Sequence, residues 1–128
     1  MAKILVIEDV AAVLLSIRII VTGAGHEVVC APDGHQGLSL LCGQKFDLVI
    51  TDIWMPGLGG KDVIAQGRTL SPGTKFLAIT GGNPNVAVSP AERGGDKIGA
   101  DAVLYKPFEK AELLQAIAAL LAGAPAHG

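Results

Sequence analysis

Residues 47–60 read Asp-Leu-Val-Ile-Thr-Asp-Ile-Trp-Met-Pro-Gly-Leu-Gly-Gly. From Asp47 to Thr51 the run is almost continuously apolar and rich in β-branched side chains, and Asp52 interrupts it just before Pro56 and the glycines break the chain direction. A strand that is apolar on both faces suits a sheet covered on both sides by helices, which is a parallel sheet. An acid at the carboxyl end of such a strand stands where ligands and chemistry collect in open α/β sheets.

The same pattern recurs on either side of this stretch. Lys3 to Ile7, Glu27 to Cys30 and Lys75 to Thr80 read as strands, and Ala102 to Tyr105 as a shorter one. Helical character fills the intervals: Ala11 to Thr22, Gly34 to Leu41, Lys61 to Leu70, Pro90 to Ile98 and Glu109 to Leu121. Ser89 and Pro90 suit the cap and first position of the fourth of these helices, and residues 81–89 read as a mobile loop. Strand then helix, five times over, predicts an open α/β sheet with helices on both faces and right-handed crossovers. The folded unit is expected over residues 1–122, with a disordered tail over 123–128.

Composition narrows the function classes. At roughly 150 residues per domain, the 128 residues make one compact unit. Ten basic against 12 acidic residues leave a net charge of −2, with no basic excess to follow a nucleic-acid backbone. Apolar residues are 50% and charged residues 17%, enough apolar surface to build a core. The longest membrane-span candidate, Val10 to Val21, is short and contains Arg18. The acids after the first apolar run argue against a signal peptide. Cys30 and Cys42 have no metal-ligand spacing, so two reduced thiols in a cytoplasmic protein are expected. His26, His35 and His127 fall in a turn, a helix and the tail, and make no metal set.

Reading what each strand ends with brings five polar residues to one edge: Glu8 and Asp9 after the first, Asp52 after the third, Thr80 after the fourth and Lys106 after the fifth. Singly, each has an ordinary explanation, as a helix-starting acid, a turn hydroxyl or a solvated ammonium. Together they form a pocket. Three crowded carboxylates repel one another unless a divalent cation neutralises them, and carboxylates with room for water select Mg²⁺. A hydroxyl and an ammonium opposite suit phosphoryl oxygens, and a carboxylate among them can act as a nucleophile that becomes an aspartyl phosphate.

The segments ILVIED (4–9), TDIWMPGLGG (51–60), AITGG (78–82) and GADAVLYKPF (99–108) resemble, in order and across the whole folded chain, a bacterial response regulator receiver domain. The resemblance implies a flavodoxin-like, doubly wound five-stranded parallel sheet of strand order 2-1-3-4-5. It also implies that Asp52 accepts a phosphoryl group from a phosphohistidine of a sensor kinase or phosphotransfer protein and later loses it by hydrolysis. Glu8, Asp9 and Asp52, with the backbone carbonyl of Trp54, would hold Mg²⁺. Thr80 would contact the phosphoryl group, Lys106 would supply the ammonium, and a cis bond would join it to Pro107. Such a chain is a signalling switch that catalyses only its own modification, with an unidentified downstream protein and no nucleic-acid or membrane partner.

Other classes fit less well. A haloacid-dehalogenase-like aspartyl-phosphate phosphatase needs a second Asp where Trp54 stands. An FMN-binding domain needs a glycine-rich phosphate loop where Glu8 and Asp9 would repel the phosphate. A receiver-shaped interaction module that is never phosphorylated would have no need of the acidic pocket. Two departures from the family pattern matter: Val103 occupies a position that is often aromatic, with Tyr105 two residues on, and the interval from Thr80 to Gly99 is long and rich in Gly and Pro. In the first helix, Val13, Ile17, Ile20 and Val21 form the expected buried stripe. Leu14, Leu15 and Ile19 are then expected on the surface, as a docking face for the kinase's helical phosphotransfer region or for a homodimer. Met55 reads either as part of the loop after Asp52 or as a core filler.

Overall fold

A computed structural model of the chain describes residues 2–81 and 99–123. In order these form β1 (Lys3–Ile7), α1 (Ala11–Gly23), β2 (Glu27–Ala31), α2 (Gly34–Gly43), β3 (Leu48–Asp52), α3 (Gly60–Leu70), β4 (Lys75–Thr80), β5 (Ala102–Tyr105) and α4 (Lys110–Leu121). The strands make one parallel sheet in the order β2-β1-β3-β4-β5, as expected. The helix expected over Pro90 to Ile98, its Ser89 cap, nearly all of the loop over 81–89 and residues 124–128 of the tail lie outside the described residues.

Alternation along the strands builds two cores. Ile4 and Val6 of β1, Leu48 and Ile50 of β3, and Leu77 and Ile79 of β4 point to one face, where Ile17 and Val21 of α1 and Leu113, Ile117 and Leu120 of α4 cover them. Leu5, Ile7, Val49, Phe76 and Ala78 point to the other, under Leu41 of α2 and Val63 and Ile64 of α3. Successive strand residues face opposite ways, so a run that is apolar at every position feeds both layers. Each fully buried aliphatic contributes about 1.5–3 kcal/mol relative to exposure, so the central strands anchor the fold. Met55 packs against the second of these cores, the core-filling side of its two readings.

Element ends differ from expectation by a residue or two, each with a local cause. Asp52 lies inside β3 because it pairs in register with Ile79, and Ala31 extends β2 because it pairs with Ile7. Asp33 caps α2, its carboxylate accepting the Gln36 N–H at 2.8 Å. Glu109 precedes α4 rather than beginning it, and its N–H donates to the Glu112 carboxylate at 2.9 Å. In α1, Leu14 packs against the core beside Val13 and Ile20 rather than standing on the surface. Leu15 and Ile19 remain exposed, at 54% and 63%. Cys30 and Cys42 are free thiols. No helix among the described residues is long and apolar enough to cross a membrane.

Candidate functional site

Register sets the site. Ile7 lies beside Thr51, Asp52 beside Ile79 and Thr80 beside Tyr105, so the carboxyl ends of β1, β3, β4 and β5 form one rim. Glu8 follows β1 directly, and its N–H donates to the Ala31 carbonyl at 3.1 Å. Lys106 is tied to the same rim by its own N–H, which donates to the Thr80 carbonyl at 2.9 Å. The bond between Lys106 and Pro107 is cis.

The side chains converge across these ends. Lys106 Nζ lies 3.0 Å from Asp52 Oδ2 and 3.5 Å from Glu8 Oε2. The Trp54 N–H donates to Asp52 Oδ1 at 3.3 Å, and the Val10 N–H to Glu8 Oε1 at 3.1 Å. Asp52 and Thr80 are buried, Asp9 is exposed, and Trp54 is 52% exposed at the rim. Glu8, Asp9 and Asp52 each present a carboxylate oxygen within 4.8 Å of the others. Glu8, Asp9, Asp52 and Lys106 are thus brought together by direct contacts or by this cluster, and Thr80 shares the rim through its backbone bond to Lys106. Of Trp54, the contact seen is its amide on Asp52.

Glu8 is the most deeply buried of the three rim acids, only 1% exposed. Among the described residues, its Oε2 is the one buried side-chain oxygen without a hydrogen-bond partner. Burial pushes its carboxyl up from the ordinary 4.5 to about 7; the Val10 N–H lowers it, the Asp52 charge raises it and the Lys106 charge lowers it. On Lys106, burial pulls downward, but the bond to Asp52 and the charges of Asp52 and Glu8 outweigh it and hold the ammonium above its ordinary value. One ammonium therefore faces three carboxylates. A buried oxygen with no hydrogen bond, sharing one ammonium with Asp52 in an all-oxygen, over-acidic cluster, is the environment a hard divalent cation relieves, so the residues fit Mg²⁺. The sequence pointed to Glu8, Asp9, Asp52, Thr80 and Lys106. It did not point to the Val10 amide, whose role depends on backbone direction alone.

Comparison with known proteins agrees with this geometry. Residues 4–118 match the response regulator receiver domain family. The chain is 37% identical over 119 residues to Response regulator MprA of Mycolicibacterium vanbaalenii, covering 93% of this chain and 50% of that protein. It therefore spans about half the length of the MprA relatives it matches. It is 33% identical over 128 residues to Protein PilH of Pseudomonas aeruginosa, covering 96% of this chain and 100% of that protein. A CheY-like response regulator receiver domain protein from Methanospirillum hungatei superposes with a TM-score of 0.85 at 29% identity, over 100% of this chain and 99% of that one. With the acidic rim and its lysine on the same edge of the same sheet, this chain belongs to the response regulator receiver domain family of two-component signalling.

Proposed function

We propose that the chain is a phosphorylatable switch of a cytoplasmic phosphorelay, with Asp52 as the acceptor. The observation that carries this reading is the Asp52 carboxylate, buried at the end of the central strand, gripped by Lys106 at 3.0 Å and the Trp54 amide at 3.3 Å, with Glu8 and Asp9 beside it. A carboxylate oxygen of Asp52 attacks the phosphorus of a phosphohistidine on a sensor kinase or phosphotransfer protein. The phosphorus–nitrogen bond breaks, the imidazole leaves, and an acyl phosphate remains on Asp52. Glu8, Asp9, Asp52 and the Trp54 carbonyl would hold Mg²⁺, which supplies charge neutralisation for the phosphoryl oxygens. Lys106 provides the second positive charge, and the Thr80 hydroxyl meets a phosphoryl oxygen. Water later attacks the phosphorus, releasing phosphate and restoring the carboxylate. The chain thus catalyses only its own phosphorylation and dephosphorylation and acts on a downstream protein through its surface.

Incubation with acetyl phosphate and Mg²⁺ tests this directly. The intact mass of the wild type should rise by one phosphoryl group, and that of Asp52→Ala should not. An unlabelled wild type would remove the proposal.

A further inference from the structure

The helix α3 meets the sheet through glycine at both ends. At Gly60, its first residue, an added Cβ would collide with the carbonyl oxygen of Asp52 and lie 2.7 Å from Ile53 Cα and 3.0 Å from the Asp52 carbonyl carbon. All three are backbone atoms, which cannot rotate out of the way. Two turns on, a Cβ at Gly67 would meet Phe76 ring carbons at 2.8 and 2.9 Å. Residues seven apart share a helix face, so the backbone of α3 is seated directly on the sheet. The Gly60 N–H donates to the Ile53 carbonyl at 3.1 Å, closing the loop that follows Asp52.

The far end of α3 is pinned as well. Arg68 Nε donates to the Gly99 carbonyl at 2.8 Å, its guanidinium pairs with Asp101 at 3.1 Å, and it lies over the Phe76 ring at 5.4 Å. Asp101 in turn accepts the Phe76 N–H at 2.7 Å. Fastening the helix at its carboxyl end opposes the tilt that would relieve a collision at its amino end. Bulk at position 60 is therefore resolved by displacing Asp52 and Ile53.

We infer that Gly60 is a positioning residue for the Asp52 carboxylate: its missing side chain lets α3 serve as a fixed stop behind β3, setting where Asp52 stands relative to Lys106, Glu8 and Asp9. The consequence for signalling rests on Asp52 being the acceptor; the placement itself does not. The Arg68 and Asp101 latch, remote from the rim, then modulates the site through the helix.

Three readouts test this on the full chain: the metal-free Trp54 amide resonance, which reports the bond to Asp52; fluorescence of this sole tryptophan titrated with Mg²⁺ alone; and labelling by acetyl phosphate. Gly60→Ala should shift the Trp54 resonance, raise the Mg²⁺ Kd at least tenfold and slow labelling at least tenfold, while still melting cooperatively. Gly59→Ala, whose Cβ would lie 3.5 Å from the Ile53 carbonyl oxygen, should stay within twofold of wild type. Adding Arg68→Ala to Gly60→Ala should recover at least threefold in Kd and move the resonance back, because the released helix can tilt; a purely structural Gly60 predicts further loss. Gly60→Ala within twofold of wild type, an equal loss in Gly59→Ala, or a deeper loss in the double variant would overturn the inference. Should Gly60→Ala not fold, Arg68→Ala alone decides: an unchanged Kd and Trp54 resonance overturn it, and a threefold weaker Kd with a shifted resonance supports it. A wild type that is never labelled contradicts the acceptor role and leaves the Trp54 resonance to judge Gly60.

Discussion

Glu8 stores the electrostatic cost of the rim. Its carboxyl stands at about 7 in the folded chain against an ordinary 4.5, chiefly because it is buried. A raised carboxyl means that the folded state holds its proton more tightly than the unfolded state. Stability from that proton is complete below pH 4.5 and is lost as pH rises through 7. In EDTA the wild type should therefore lose on the order of 3 kcal/mol across this window relative to Glu8→Gln, which does not titrate. Melting both proteins from pH 4.5 to 8 checks this, and parallel profiles would contradict it. Mg²⁺ should abolish the difference by neutralising the carboxylate in place of the proton. Asp9→Asn should weaken Mg²⁺ binding at least tenfold and prevent labelling, without loss of metal-free stability, since it removes one of three like charges; a metal titration matching wild type would refute the assignment. The identities of these acids were legible because each stands at or just beyond the carboxyl end of a strand. Their unequal burial was not, because the Val10 amide that holds the buried Glu8 carboxylate leaves no trace in side-chain pattern.

Among the elements, α1 shows how far periodicity reaches. Ile17 and Val21 are buried as the stripe demands. A stripe drawn at helical spacing has uncertain width, however, and the core takes Leu14 as well. The exposed apolar pair is Leu15 and Ile19, with Val10 at the mouth of the rim. If this face docks the kinase's phosphotransfer helices, Leu15→Glu with Ile19→Lys should leave acetyl-phosphate labelling unchanged and slow transfer from the kinase at least tenfold; if it joins two copies, the same variant should shift the sedimentation profile to monomer. Transfer and sedimentation both equal to wild type would show that it does neither. In β5, Val103 packs against the core shared with α2 and α3 while Tyr105 stands exposed. A small packed aliphatic has no second rotamer of large sweep, so labelling should produce small chemical-shift changes at Val103. Large ones centred there would count against this.

At the scale of the whole molecule, the order of elements was readable because buried parallel strands are apolar at every position, as in residues 4–7 and 48–50. What pattern could not supply was contact between distant positions. Arg68 and Gly99 are 31 positions apart, and the pair of Lys106 with Asp52 spans 54. The resemblance supplied the second of these and not the first. Gly60 was legible as part of a turn, but its closeness to the Asp52 backbone follows only from where α3 lands on the sheet. On the proposed function, this convergence makes Asp52 the phosphoryl acceptor. Borohydride reduction of the acetyl-phosphate-treated chain, followed by peptide mass spectrometry, locates the acyl phosphate as a reduced side chain. Reduction is expected at residue 52 alone, dependent on Mg²⁺ and lost in Asp9→Asn. Reduction at Asp9, Asp33 or any other acid, or at residue 52 independently of Mg²⁺, would contradict it.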